Sequence, residues 1–139
     1  MSQLEHMLNT HYAGVNSGDL DTALSVFDPD CEILTPNGTM RGAQAQRALG
    51  EAFRTAAPDN QIKALRTFEA GDTIIVEGVY SGTHTGPLVG PAGTIPATGR
   101  AFSFPYVDVL QARDGMFVSH RIYWDNVTFL AQLGLMPNS

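Results

Sequence analysis

The chain has 139 residues, 43% hydrophobic and 16% charged, with a formal net charge of −6. That composition excludes a disordered chain, and the length suits a single domain over residues 1–139 with a real core. The eight basic residues form no patch, which argues against nucleic acid and anionic membranes as partners.

The predicted elements begin with a helix whose apolar face is Leu4, Met7, Leu8, His11, Tyr12 and Val15, at i, i+3, i+4 spacing. Ser2 and Glu5 form a capping box at its start, and Gly18 ends it. Asp19 caps a second helix with the face Leu20, Ala23, Leu24 and Phe27, which Asp28-Pro29 stops. "CEILT" is a short strand and "PNGTM" a turn. A third helix over 42–57 points Ala45, Ala48, Leu49, Ala52, Phe53 and Ala56 inward, and Pro58 closes it. The period then changes. "QIKALRTFEA", "TIIVEGVYSGTHT", "RAFSFPYVDVLQA" and "MFVSHRIYWD" are strands, with hairpin turns at 70–72 and 113–115. A long Gly/Pro stretch, 86–99, reads as a lid or pocket rim. "RIYWDNVTFLAQLGLMP" runs from strand into helix.

Helices followed by an antiparallel meander predict an α+β fold. The sheet should be cone-shaped and curved, wrapped around the N-terminal helices, and should enclose an apolar pocket. Its outer face needs cover, which predicts a homodimer through that face. Cys31 is the only cysteine, so no internal disulfide forms, and we read it as core. "MSQLEHMLNTHY" is not a secretion signal and no run approaches a membrane span, so the expectation is a cytoplasmic protein.

Asp125 directly follows the only tryptophan, between apolar residues, where a proton-transfer group works best because water is scarce. The alternative is a cap for the following helix. Strand alternation places Ser119, Arg121, Tyr123 and Asp125 on one face and Val118, His120, Ile122 and Trp124 on the other. If Asp125 faces the pocket, Arg121 and Tyr123 line it too. His120 and Trp124 then belong to the dimer face unless a bulge intervenes.

His84, in "GTHTG", is positioned to polarise a substrate carbonyl or enolate, or else to satisfy loop backbone groups. His11 and Tyr12 lie on the inward stripe of the first helix, where their polar tips contact a substrate or are satisfied by a neighbour. Phe102, Phe104 and Tyr106 read as pocket wall or core. Asp108 follows on the same strand face, as a second pocket acid or an exposed one. No histidine pair or acidic cluster has metal-ligand spacing, and no glycine-rich phosphate loop opens a helix. Neither a metal nor another cofactor is expected.

"HYAGVNSGDLDTALSVFDPDCEILTPNGTMRGAQA" resembles the first half of the nuclear-transport-factor-2-like superfamily. "SGTHTG", "TGR" and "WDNVTFLAQLGLMP" make the likeness closest to its SnoaL-like polyketide cyclase and ester cyclase branch. The resemblance implies a cofactor-free, intramolecular aldol ring closure on a hydrophobic polyketide-like molecule, with an aspartate on the final strand as acid/base. Asp125 matches that position. Ketosteroid isomerases of the superfamily use a tyrosine and two aspartates at positions that align near His11, Thr35 and Phe104, which lack that chemistry. Epoxide hydrolases use an Arg-x-Asp spacing that this chain does not contain, so an epoxide hydrolase-like enzyme is the weaker reading. The other alternative is a non-catalytic module that binds a small apolar ligand or assembles as a dimer.

Overall fold

The computed structural model describes residues 1–90 and 93–136. In chain order it contains α1 (Gln3–Ser17), α2 (Leu20–Leu24), β1 (Phe27–Thr35), β2 (Gly38–Arg41), α3 (Ala43–Ala56), β3 (Gln61–Ala70), β4 (Thr73–Thr83), β5 (Leu88–Gly90), β6 (Gly93–Ile95), β7 (Ala101–Arg113), β8 (Met116–Trp124) and α4 (Asn126–Gln132). No helix among the described residues is long and apolar enough to cross a membrane.

Local chemistry starts and stops the helices. Ser2 Oγ accepts from Glu5 N at 3.0 Å at the head of α1, and Gly18 ends it in the left-handed region at φ 77°. Asp19 accepts from the Thr22 amide and hydroxyl to start α2. α2 is shorter than its periodicity suggested. Phe27, expected on its face, opens β1, so Asp28-Pro29 lies within a strand. Gly14 lets α1 and α2 touch, because a Cβ there would sit 2.3 Å from Ala23 N.

Six strands form one sheet in the order β2-β1-β8-β7-β4-β3. The pairs are antiparallel except β1–β8, which is parallel, so the meander is closed by a strand from the first half of the chain. The register defines the inner face by rows: Ile74–Leu110–His120, Val76–Asp108–Ile122, Gly78–Tyr106–Trp124 and Tyr80–Phe104. Against it pack α1 and α3, around a core with Leu8, Ile33, Ile74, Leu110 and Phe117 fully buried. A second core, Phe102, Phe104, Phe129 and Leu133, lies beneath α4.

The 86–99 stretch is not structureless. β5 and β6 pair as a small second sheet, and the amides of Thr85 and Gly86 donate to the Ala56 carbonyl at the end of α3. None of its described residues reaches the cavity between helices and sheet, so those residues form no part of that cavity's rim. Pro91 and Ala92, within the expected lid, lie outside the described residues.

Candidate functional site

β7 supplies the central acid. Its inner face alternates Phe102, Phe104, Tyr106, Asp108 and Leu110, all buried. A carboxylate in such a row needs partners. Tyr12 on α1 donates its hydroxyl to Asp108 Oδ2 at 2.6 Å, and Tyr106 donates to the Tyr12 oxygen at 2.9 Å. Burial, then the Asp108 charge, pushes the Tyr12 hydroxyl far above its ordinary pKa, so it remains a donor.

The other Asp108 oxygen faces a histidine. His120 Nε2 lies 3.4 Å from Oδ1, with both side chains buried. On the far side of the ring, Gln46 Nε2 donates to His120 Nδ1 at 3.2 Å. This arrangement places the imidazole proton on Nε2, toward Asp108. Among the described residues His120 Nε2 and Gln46 Oε1 are buried without a hydrogen-bond partner. Phe27 stacks on the His120 ring at 5.2 Å and holds its plane.

His11 completes the group, its ring 5.7 Å from that of His120. Its Nδ1 is 2.8 Å from the Ala23 carbonyl. A carbonyl only accepts, so the proton is on Nδ1 and Nε2 is left as an acceptor. Burial, with the neighbouring His120, lowers the His11 pKa to about 4, against a partial opposing pull from the Ala23 carbonyl and Asp108. The folded state therefore holds His11 neutral where the unfolded chain protonates it. Above pH 6.5 neither state carries the charge and the histidine contributes nothing. As pH falls from 6.5 to about 4 stability should drop, by roughly 3 kcal/mol in all. Urea unfolding at several pH values should show this slope, and His11→Gln should flatten it.

His11, Asp108, His120 and Gln46 line a cavity of about 130 Å³. Phe53, Phe104 and Trp124 supply apolar wall, with Trp124 6.0 Å from Phe53. The arrangement can accept a proton at Asp108 and offer an N–H at His120, beside an apolar wall.

Several sequence expectations are relocated. Asp125 lies outside the cavity and is exposed. It caps α4, accepting from the Val127 amide and from the Thr128 amide and hydroxyl. Those bonds, led by the Thr128 hydroxyl, hold its carboxyl below the usual carboxylate range, the reverse of an acid tuned upward. Arg121 and Tyr123 share its outer face and are exposed, while His120 and Trp124, assigned to a dimer face, point inward. Phe102 is core beneath α4 rather than cavity wall. His84 is buried away from the cavity, where its Nδ1 bonds the Thr98 hydroxyl and amide, and burial lowers its pKa. Of the positions aligned with ketosteroid isomerases, His11 and Phe104 line the cavity and Thr35 does not, while Tyr12, Tyr106 and Asp108 form the hydrogen-bonded group. Gln46 and His120 were missed, although the unbroken alternation up to Asp108 marked the acid beside them.

A curved sheet closed by helices over a cavity is the nuclear-transport-factor-2-like, ketosteroid isomerase-like class of fold. Within it, the chain belongs to the SnoaL-like polyketide cyclase family, whose model matches residues 5–133. Among solved structures, IdmH from Streptomyces antibioticus, a polyketide cyclase candidate, is 28% identical with a TM-score of 0.79, covering 96% of this chain and 99% of that one. TsrD from Streptomyces laurentii is 25% identical with a TM-score of 0.84, covering 96% of each. A nuclear-transport-factor-2-like protein from Burkholderia pseudomallei is 19% identical at 0.78, covering 96% and 98%, and shows the fold alone. No functionally curated protein matches the chain.

Proposed function

We propose that this protein is a cofactor-free cyclase that closes a ring by intramolecular aldol addition, with Asp108 as acid/base in place of Asp125. Membership of the cyclase family supports the reaction type. The observation that carries the residue assignment is the buried carboxylate of Asp108 beside His120 in an apolar cavity.

The steps balance without a co-reactant. Asp108 takes the proton from a carbon flanked by carbonyls, and the electron pair moves onto the adjacent carbonyl oxygen. The N–H of His120 donates to that enolate oxygen, where charge develops. The enolate carbon attacks the second carbonyl, a carbon–carbon bond forms, and the new alkoxide takes its proton back from Asp108. Tyr12 keeps the carboxylate oriented, and the aromatic wall holds the chain folded for closure.

A direct test is hydrogen–deuterium exchange at the carbon between the carbonyls of ethyl 2-oxocyclohexanecarboxylate in heavy water. Wild-type protein should accelerate it. Exchange at the buffer rate would remove the proton-transfer reading and favour a binding module.

The same reading includes a homodimer. The outward rows of the sheet carry apolar residues at Phe68–Ile75–Val109, Val107–Tyr123 and Val79–Pro105, and the same rows continue into the charged Arg121, Arg66–Glu77 and Lys63, with Phe68 49% and Tyr123 45% exposed. Single copies leave that face wet, and a second copy presents the same face to it. Light scattering should give twice the chain mass, and Val107→Arg should halve it. A monomeric wild type would dismiss this partner.

A further inference from the structure

We propose that the ligand of this cavity is an acid: an apolar body about one ring across, bearing a carboxylate or comparable anionic group that Arg54 and Tyr80 hold. The proposal rests on the cavity being the ligand site of the enzyme described above, and its test separates the two.

Arg54 sits near the end of α3, is half-buried and lines the cavity. The other half-buried arginine, Arg47, is paired with Asp21. Among the described residues Arg54 makes no ion pair and no hydrogen bond, whereas the remaining unpaired basic side chains are exposed. A guanidinium drawn partly out of water without a counter-charge is costly, and a charged ligand removes that cost.

Its position is built. The guanidinium lies against Gly18, where a Cβ would sit 2.6 Å from Nη2. Gly18 is the C-terminal cap of α1, whose negative dipole end favours a cation there. Tyr80 lines the same cavity and lies within reach of the Arg54 charge, which acts on its hydroxyl. The Tyr80 hydroxyl makes no hydrogen bond among the described residues, and burial raises its pKa, so it remains a neutral donor. Together they offer a fork of N–H groups and an O–H to one anion.

The register separates this end from the acid. Tyr80 pairs with Phe104, and Asp108 lies four residues further along β7, about 13 Å along the strand. An anion held beside Tyr80 is thus offset along the sheet from the Asp108 row, with Phe104 lining the cavity between them. The volume sets the size. A cavity of about 130 Å³ is comparable with engineered cavities of about 150 Å³ that accept benzene.

The test uses benzoate and benzamide, which share a shape and differ in charge, measured by calorimetric titration at pH 7. Wild-type protein should bind benzoate at least tenfold more tightly than benzamide. Arg54→Gln should abolish that preference with benzamide binding unchanged, and Asp108→Asn should preserve it. Equal binding of the two probes by wild type, or an unchanged preference in Arg54→Gln with its circular dichroism intact, would overturn the proposal. The deuterium-exchange result is independent. A benzoate preference without catalysed exchange keeps the anion site and rejects the cyclase, and catalysed exchange without the preference does the opposite.

Discussion

Asp108→Asn should reduce catalysed exchange and turnover by about 10²–10⁴-fold, the range a general acid/base contributes. The substitution keeps the shape and leaves an amide oxygen to accept the Tyr12 hydroxyl now at 2.6 Å from the carboxylate. The protein should therefore fold, and circular dichroism and a melting curve check that. Asp125→Ala is the matched control. It removes a cap that accepts from Val127 and Thr128, so it should lower the melting temperature and leave turnover unchanged. The pair decides which carboxylate is the acid. Full activity in Asp108→Asn together with a dead, folded Asp125→Ala would return the role to the exposed residue.

Phe117→Ala should cost about 3–5 kcal/mol, the range for emptying an aromatic site in a packed core. Phe117 is fully buried and is the largest such side chain. It packs against Phe27 at 5.5 Å, and Phe27 in turn stacks on His120. The loss would be a large share of the 5–15 kcal/mol that typically separates folded from unfolded chains. Denaturant unfolding would measure it, and a cost under about 1 kcal/mol would contradict the packing described. Phe117→Leu refills much of the space and should recover most of the stability. Because Phe27 holds the His120 plane, the alanine variant should also lower turnover at temperatures where it remains folded.

Much of the molecule was legible in the chain itself. Apolar spacing, the Ser2–Glu5 box and Gly18 set out α1, and the change from helical to alternating period located β3, β4, β7 and β8. The run Phe102, Phe104, Tyr106, Asp108 placed an acid among aromatic residues on one face. These features are local, so one segment of sequence contains all the information they need. The parallel β1–β8 pairing and the approach of Gln46 to His120 across 74 residues are not local. No spacing rule reports them.

The acid was misplaced for one physical reason. The tight turn at Asp114-Gly115 pairs Arg113 with Met116 and Ala112 with Phe117. Continued without interruption, that register would set Arg121 opposite Asp108 and Tyr123 opposite Tyr106. Asp125 would then have shared the cavity face. Instead a β-bulge between Gln111 and Ala112 absorbs Val118, and the pairing becomes Gln111–Ser119, Leu110–His120 and Asp108–Ile122. A slip of one residue turns every later side chain to the opposite face. It puts both Phe117 and His120 inward and sends Asp125 to solvent. The sequence by itself determined which residues alternate together along β8. Only the tertiary structure decided which set faces the cavity, because a bulge is chosen by the packing of both strands at once.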